Sequence, residues 1–280
     1  MTTMQQIAAL RQRIRAERPL VHCITNHISI NQCANGLLAL GARPIMAEHK
    51  DEMEDITGAS QALMLNLGNI TTARMEAMAV AVQTAKANGV PYILDLVGVG
   101  ASRMRLGFAY QLIEKETPAI LKGNESEIRA LCGLPHHAKG VDSGEESHAE
   151  RAIEAAQLAA ERFGSVILLS GKDDMIAEGS RVSAVSNGHE LMTYVTGTGC
   201  LQGAVAAVFL TMTDPFLAAV SGAVMLGLAG EDAAAAFKGH GSLSRFGNGM
   251  VDGLFSMTEE RLMSGARIKN MTAGRNDHEI

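Results

Sequence analysis

The chain has 280 residues and a net charge of −6, with 47% hydrophobic and 19% charged residues and a mean hydropathy of +0.09. This balance is ordinary for a globular enzyme, and the length fits one large α/β domain or two small ones. Because no internal repeat or low-complexity segment divides the chain, we expect a single domain over residues 1–280. The acidic charge argues against nucleic acid as the main partner, because nucleic acids bind to basic surfaces.

Three features favour a cytoplasmic protein. Residues 1–18 are polar and lack the apolar core of a secretory signal. The cysteines have neither metal-ligand nor disulfide spacing, which is typical of reduced thiols; they are Cys23, Cys33, Cys132 and Cys200. The most membrane-like run, residues 215–230, is short and is closed by two acidic residues, so we expect a buried core helix and no membrane partner.

Short apolar runs alternate with helical stretches over the first 170 residues. The runs of strand length are residues 20–24, 43–46, 62–67, 91–96, 119–122 and 166–170. A helix over residues 72–88 ends at Gly89, and capping pairs at Asn124/Glu127 and Ser147/Glu150 begin two more helices. Continuous apolar strands separated by helices predict an α/β fold with a mainly parallel central sheet and helices on both faces.

The pattern changes after residue 170. Residues 175–177 and 181–186 are typical of a β-hairpin joined through residues 178–180. From Leu201 onward the chain is predicted to be mostly helical. Residues 135–146 form a polar loop, and residues from about 264 or 265 to 280 are predicted to be a flexible, loosely held tail.

Polar residues follow two early strands. Asn26 and Met46 come after runs that we expect to be neighbours in the sheet. An amide beside a thioether suits a small heteroaromatic ring with one polar handle. The alternative interpretation is an asparagine in a turn and a methionine in the core.

Asp95 follows the apolar run at residues 90–94. An unpaired carboxylate among apolar residues is costly, but at the carboxyl end of a strand in an open α/β sheet it faces the ligand crevice. There it would hold Mg²⁺ against phosphate oxygens. The alternative is an aspartate that caps the next turn.

Two later strand ends carry further candidates. Lys122 either reaches phosphates as a point charge or is a solvated lysine. Glu127 caps the helix that starts at Asn124, and a carboxylate at a helix start is also able to meet a metal. Ser170 either binds a nucleotide or caps a turn.

The turn at residues 195–201, Val-Thr-Gly-Thr-Gly-Cys-Leu, leads directly into an apolar helix. Such a turn aims unpaired backbone amides outward at the positive end of the helix dipole, which favours an anion and most often a phosphate. The alternative is a glycine-rich loop that only lets the helix pack closely on the sheet.

Together these segments resemble the hydroxyethylthiazole kinase family of thiamine biosynthesis, which has the ribokinase-like three-layer fold. The matching segments, in the family's order, are residues 21–26, 35–47, 93–100, 122–128, 168–171 and 195–201. The resemblance implies transfer of the ATP γ-phosphate to the primary alcohol of 4-methyl-5-(2-hydroxyethyl)thiazole. It also implies Mg²⁺ as cofactor and a homotrimer with active sites between subunits.

Carried over by position, the resemblance assigns roles to single residues. It implies that Asn26, Met46 and Gly197 contact the thiazole, that Lys122 and Ser170 contact ATP, that Asp95 and Glu127 organise Mg²⁺, and that Gly197, Thr198, Gly199 and Cys200 form the anion hole.

Three positions depart from the family pattern. Leu96 replaces the usual proline, which we expect to relax the turn that fixes Asp95. Lys122 replaces the usual arginine and loses a bidentate phosphate contact. Ser170 replaces threonine, a mild change.

Cys200 separates this family from related sugar and pyrimidine kinases, which place an aspartate there to accept the alcohol proton. We hypothesise that Cys200 either assists deprotonation of the alcohol or only orients it. The alternatives on the same fold are a hydroxymethylpyrimidine kinase, a nucleotide-dependent dehydratase of hydrated NAD(P)H and a catalytically silent nucleotide sensor. Cys200 and the Asn26/Met46 pair argue against the pyrimidine kinase, and the dehydratase is expected to keep an aspartate at the glycine turn.

Overall fold

A computed structural model describes residues 1–135, 148–236 and 242–271 of the chain. Within these ranges the strands are β1 (Leu20–Ile24), β2 (Arg43–Ile45), β3 (Ala62–Asn66), β4 (Tyr92–Asp95), β5 (Ile120–Asn124), β6 (Val166–Ser170), β7 (Asp174–Glu178), β8 (Arg181–Val185) and β9 (Ile268–Asn270). The helices are α1 (Thr3–Glu17), α2 (Ile30–Leu40), α3 (Met53–Ala59), α4 (Thr72–Asn88), α5 (Arg103–Lys115), α6 (Glu125–Cys132), α7 (His148–Phe163), α8 (Thr198–Leu210), α9 (Pro215–Ala236), α10 (Leu243–Ser256) and α11 (Glu259–Gly265).

All these strands belong to one sheet, in the order β2-β1-β3-β4-β5-β6-β7-β8-β9. Strands β1 to β6 are parallel to one another, so their carboxyl ends meet at one edge. Strands β7, β8 and β9 each run antiparallel to the strand before them. The predicted mainly parallel sheet and the hairpin after residue 170 are therefore confirmed.

Hydrophobic layers cover both faces of the sheet. On one face, Met64, Ile93 and Ile120 pack with residues of α1, α2, α8 and α9. On the other face, Leu65 and Leu94 pack with residues of α3 to α7. Alternate residues of each strand thus face opposite helical layers, as the pleat of a strand requires. The arrangement is the predicted three-layer α/β fold.

The capping signals set several helix ends. Helix α4 has the predicted bounds and ends at Gly89, whose φ of 65° is left-handed. Asn124 and Glu127 form the predicted capping box of α6. Ser147, the predicted cap of α7, and residues 136–146 of the predicted loop lie outside the described residues.

The prediction of a loosely held tail is wrong for Ile268–Asn270. These residues form β9, which pairs with β8 from Ser183↔Asn270 to Val185↔Ile268. Ser183 Oγ also donates to Asn270 Oδ1 at 2.9 Å. The pairing satisfies the backbone of β8, which would otherwise be an open sheet edge. Residues 272–280 of the predicted tail lie outside the described residues.

Helix α9 is long and apolar enough to cross a membrane, yet 83% of its most apolar window is buried inside the protein. It packs closely on α8, because a Cβ placed at Gly222 would lie 2.7 Å from Cβ of Ala206. A helix that is apolar on every side belongs in the interior of a domain when other elements surround it. Helix α9 is therefore a core helix, as predicted.

Candidate active site

Three polar side chains stand in a row across the middle of the sheet. Asn66, Asp95 and Lys122 are direct cross-strand neighbours: Asn66 and Asp95 are the last residues of β3 and β4, and Lys122 lies in the middle of β5. All three are buried. They alternate with strand residues of the opposite layer, so they face the layer that contains α8. The sheet register thus collects an amide, a carboxylate and an ammonium beneath one helix.

Asp95 is fully buried and lies between the other two residues. Its Oδ2 accepts a hydrogen bond from Asn66 Nδ2 at 2.7 Å. Its Oδ1 lies 3.3 Å from Lys122 Nζ and accepts no well-aligned hydrogen bond from the described residues. Burial raises the pKa of Asp95 to about 6, although the charge of Lys122 opposes that rise. The carboxylate is therefore ionised at neutral pH and has one oxygen held only by an ion pair.

Lys122 points from β5 to the start of α8. Its side chain is 4% exposed, and a Cβ placed at Gly199 would lie 3.0 Å from Nζ. Burial alone lowers the pKa of an ammonium, but the carboxylates of Asp95 and Glu127 raise the pKa of Lys122 above its ordinary value. Lys122 is thus a buried, fully charged cation beneath the glycine turn, consistent with a point charge for phosphate.

Glu127 ties two loops together at the same edge of the sheet. Its Oε1 accepts from the amide of Gly98 at 2.8 Å, and its Oε2 accepts from the amide of Asn124 at 2.8 Å. Gly98 lies in the turn that follows Asp95, so Glu127 fixes that turn against the start of α6. Each carboxylate oxygen keeps a second lone pair that is able to meet a cation.

The glycine turn has the predicted open geometry. Gly197 takes a left-handed φ of 86° at the N-terminus of α8, and no side chain caps the helix. The first backbone hydrogen bond of α8 runs from Leu201 N to Gly197 O at 2.9 Å. The amides of Thr198, Gly199 and Cys200 come before it in the chain. Thr198 Oγ1 donates to Val195 O at 2.7 Å, which braces the turn from behind. Such a helix start is suited to an anion.

Cys200 Sγ accepts hydrogen bonds from two amides. Asn26 Nδ2 lies 3.2 Å from the sulfur and Asn66 Nδ2 lies 3.3 Å from it. Asn26 Nδ2 also donates to Asn66 Oδ1 at 3.0 Å. The structure therefore brings the predicted residues Asn26, Asp95 and Cys200 into one network, with Asn66 at its centre.

Met46 and Ser170 lie at the flanks of this network. Met46 follows β2, which pairs with β1 as predicted, and is half-buried against the core. Ser170 ends β6, where it is half-buried and its Oγ reaches Gly123 O at 3.4 Å. No hydrogen bond in the described part of the chain joins either residue to Asn26, Asp95 or Cys200.

The expected effect of Leu96 is not seen. Its amide donates to Lys122 O at 2.8 Å and continues the pairing of β4 with β5. A proline has no N–H to make this bond. Leu96 therefore ties the turn after Asp95 to the strand that carries Lys122.

Sequence reasoning missed Asn66, Asp174 and Gln202. Asn66 shows the same sequence signal as Asp95, namely a polar residue at the end of an apolar run. It went unnoticed because the predicted strand at residues 62–67 includes it. Asp174 starts β7 and accepts from Gly171 N at 3.0 Å and from Gln202 Nε2 at 2.6 Å. Gln202 lies on α8, two residues after Cys200, and its contact with a distant strand has no sequence signal.

The site fits a magnesium ion that is shared with substrate phosphates. Among the described residues no group of three or more His, Cys, Asp or Glu side chains is able to hold a metal by itself. Mg²⁺ is usually bound through one or two carboxylates together with phosphates and water. The buried Oδ1 of Asp95, which accepts no well-aligned hydrogen bond among the described residues, meets that requirement.

Comparisons with known proteins identify the family of the chain. The model of the hydroxyethylthiazole kinase family matches residues 11–260. Hydroxyethylthiazole kinase 2 of Clostridium botulinum (strain Langeland) is 38% identical over 266 residues, which cover 93% of this chain and 99% of that protein. Hydroxyethylthiazole kinase of Ruminiclostridium cellulolyticum is 38% identical over 271 residues, covering 95% and 98%.

Solved structures give the same result. Hydroxyethylthiazole kinase from Pyrococcus horikoshii OT3 superposes with a TM-score of 0.86 at 34% identity, over 95% of this chain and 99% of that one. A ribokinase-like protein from Enterococcus faecalis V583 has a TM-score of 0.56 at 15% identity, over 84% and 86%, and shows the fold alone. The fold is therefore ribokinase-like, and the chain is a kinase that belongs to the hydroxyethylthiazole kinase family.

Proposed function

We propose that the chain transfers the γ-phosphate of ATP to the primary alcohol of 4-methyl-5-(2-hydroxyethyl)thiazole, a salvage step of thiamine biosynthesis in the cytoplasm. The observation that carries this proposal is the row of Asn66, Asp95 and Lys122 beneath the uncapped start of α8. In a member of this family, a buried carboxylate and a buried ammonium beside a helix N-terminus support the transfer of a phosphoryl group to an alcohol. Phosphoryl transfer needs mainly positioning and charge neutralisation.

On the nucleotide side, the amides of Thr198, Gly199 and Cys200 bind the transferred phosphoryl group. Lys122 approaches the same point from below, since its Nζ lies under Gly199. Ser170, at the end of β6, contacts the rest of the nucleotide. Asp95 and Glu127 would hold Mg²⁺, which when bound neutralises phosphate charge.

On the alcohol side, Met46, Asn26 and Gly197 surround the thiazole. Asn26 uses both amide hydrogens on Asn66 and Cys200, and its Oδ1 accepts from the amides of Ile28 and Ser29, each at 3.1 Å. Asn26 therefore meets the ring through van der Waals contact, or exchanges one of these bonds on binding. Cys200 faces the hydroxyethyl arm and orients its hydroxyl group.

The active unit in this proposal is a homotrimer with sites between subunits. Two large apolar side chains beside the site are strongly exposed, Ile28 at 59% and Tyr194 at 69%. Ile28 directly follows the loop of Asn26, and Tyr194 precedes the glycine turn. A neighbouring subunit would remove this apolar surface from water and close the site.

The test is ADP release from Mg²⁺ and ATP with the thiazole alcohol, measured against a thiazole-free control. We expect thiazole-dependent release, and we expect Asp95→Asn to reduce kcat/KM by about 100-fold or more, because the variant loses the charge that holds the metal. Asp252→Asn, at an exposed position on α10, should match the wild type.

Two results would contradict the proposal in different ways. ATP binding without thiazole-dependent release would show that the anion site is real and that the alcohol is a different one. Full activity of Asp95→Asn would remove this carboxylate from the metal site while leaving the reaction assigned.

A further inference from the structure

Asn66 uses all of its hydrogen-bonding capacity inside the site. Its Nδ2 donates to Asp95 Oδ2 at 2.7 Å and to Cys200 Sγ at 3.3 Å. Its Oδ1 accepts from Asn26 Nδ2 at 3.0 Å and from the amide of Gly68 at 2.9 Å. The side chain is fully buried. Four partners from four different segments therefore meet at one amide.

The chemistry of these partners fixes the orientation of the Asn66 amide. An ionised carboxylate only accepts and a backbone amide only donates, so Asp95 must face the nitrogen and Gly68 must face the oxygen. A flipped Asn66 would place its oxygen 2.7 Å from Asp95 Oδ2. Such a contact between two acceptors is repulsive and leaves buried groups unsatisfied.

The same argument fixes the orientation of the Asn26 side-chain amide. Its oxygen is held by the amides of Ile28 and Ser29, so its nitrogen faces Asn66 and Cys200. The sulfur of Cys200 therefore receives N–H donors from both side chains. Any hydrogen bond from the Cys200 thiol to a substrate has to lie on the side that these two amides leave open.

The backbone around Asn66 is held as firmly as its side chain. The buried guanidinium of Arg74 donates to Asn66 O at 3.0 Å, to Gly68 O at 2.9 Å and to Asn69 O at 3.1 Å. These bonds fix the turn after β3 on α4. Asn66 is thus a rigid link between the carboxylate and the sulfur.

We propose that Asn66 is a positioning residue for phosphoryl transfer, which holds the Asp95 carboxylate and the Cys200 sulfur in one hydrogen-bonded unit. It sets the distance between the group that would organise the metal and the group that faces the alcohol. This inference rests on the proposed function, because it concerns the geometry of the same reaction. It adds a residue that acts through Asp95 and Cys200 without touching the substrate.

The kinetic test is Asn66→Asp, which keeps the size of the side chain and replaces a donor by an acceptor next to Asp95. We expect kcat to fall by about 100-fold while KM for the thiazole changes less than about threefold, since positioning errors act on the reacting atoms. The matched control is Asn187→Asp. Asn187 is also buried, its Nδ2 donates to a carboxylate, Glu231 Oε1, at 3.0 Å, and its Oδ1 accepts from a backbone amide.

A second measurement needs no substrate. In a Cys132→Ser background, the rate of alkylation of Cys200 by iodoacetamide is followed by mass spectrometry. Burial raises the pKa of Cys23, and it raises the pKa of Cys33 to about 12, so both react slowly. We expect Asn66→Asp to slow alkylation of Cys200 at least tenfold, because the sulfur loses the N–H donor of Asn66.

The two readouts separate the possible failures. If Asn66→Asp and Asn187→Asp have the same kcat and the same alkylation rate, the inference is overturned. If alkylation slows as expected but neither the wild type nor any variant shows thiazole-dependent ADP release, the link through Asn66 stands and the proposed substrate is wrong. A KM increase that accounts for the whole loss of kcat/KM would also overturn it, because it would assign Asn66 to substrate binding.

Discussion

Lys122 and Asp95 form an ion pair between adjacent strands of the sheet. Both side chains are buried, and their atoms are 3.3 Å apart. Removing one partner of a buried pair leaves an uncompensated charge, which usually costs about 3–5 kcal/mol. When a phosphate and a cation bind, by contrast, Lys122 and Asp95 would each exchange the other for a new partner of opposite charge. The pair therefore keeps both charged groups in place without fixing them to each other permanently.

Cys200 gives a prediction at the level of one atom. A serine at this position still accepts from Asn26 and Asn66 and still orients an alcohol, but a hydroxyl group ionises far less readily than a thiol and so supplies no anion to accept a proton. If Cys200 only orients the alcohol, we expect Cys200→Ser to keep kcat within about tenfold of the wild type. The measurement is steady-state kinetics with saturating ATP.

A general base usually contributes about 10²–10⁴-fold. A loss of that size in Cys200→Ser, with an unchanged KM for the thiazole, would therefore assign proton transfer to the sulfur. Cys132→Ser serves as the control, because Cys132 lies at the end of α6 and has no hydrogen bond to Asn26 or Asn66.

At the level of elements, Asp174 and Gln202 connect β7 to α8 close to the glycine turn. Gln202 Nε2 donates to Asp174 Oδ2 at 2.6 Å, and Gln202 Oε1 is buried without a hydrogen bond among the described residues. Burial raises the pKa of Asp174 from 3.8 to about 6, although the amide of Gly171 and Gln202 oppose the rise. This link therefore contains a carboxylate that resists ionisation.

The raised pKa of Asp174 predicts a pH dependence of stability. The folded chain keeps the Asp174 proton up to about pH 6, whereas the unfolded chain loses it near pH 3.8. The contribution of Asp174 to the free energy of unfolding is thus full below pH 3.8, falls as the pH rises through about 6, and is absent above that. The shift of about two pKa units corresponds to at most about 3 kcal/mol.

Asp174→Asn should remove the loss of stability that accompanies ionisation of Asp174 as the pH rises. The asparagine oxygen still accepts from Gly171, and its nitrogen donates to Gln202 Oε1 once the Gln202 amide turns over. We expect the free energy of unfolding of the variant, relative to that of the wild type, to be higher at pH 8 than at pH 4 by about 1–3 kcal/mol. Urea unfolding at both pH values measures this change, with Asp252→Asn as control. A difference that stays constant with pH would refute it.

The elements themselves were largely predictable, because their signals are local. The capping box at Asn124 and the helix end at Gly89 are properties of a few adjacent residues, and the structure confirms both predictions. Strand β9 was missed because three residues are too short to show alternation, and its pairing comes from the edge of β8.

The site was predictable only in part, because local sequence signals do not encode contacts between segments that are far apart in the chain. Asp95 and Lys122 were identified as charged residues at strand ends, which requires no knowledge of their neighbours. That Asn66 lies beside Asp95, and that both meet α8, depends on the register of strands that are far apart in sequence. No local pattern encodes that Asn26 and Asn66 share the sulfur of Cys200.

At the scale of the whole molecule, the exposed apolar residues around the site predict self-association. We expect light scattering to give three times the chain mass of 29.6 kDa at working concentration. Ile28→Asp should lower this mass and reduce activity, because it places a charge in the proposed interface. Leu158→Asp, at an exposed position of α7 in the other helical layer, is the control. A monomeric mass for the wild type would rule the trimer out.

The first helix of the chain depends on the last third of it. Ile7 and Ile14 of α1 are fully buried in the layer formed by α8 and α9, and α1 also contacts α11 near the end of the described chain. At a ribosomal rate of about 5–20 residues per second, α8 is completed roughly 10–40 seconds after α1. Throughout that interval the apolar face of α1 in the nascent chain lacks the contacts that α8 and α9 later provide. The layer that holds the glycine turn therefore closes late in synthesis.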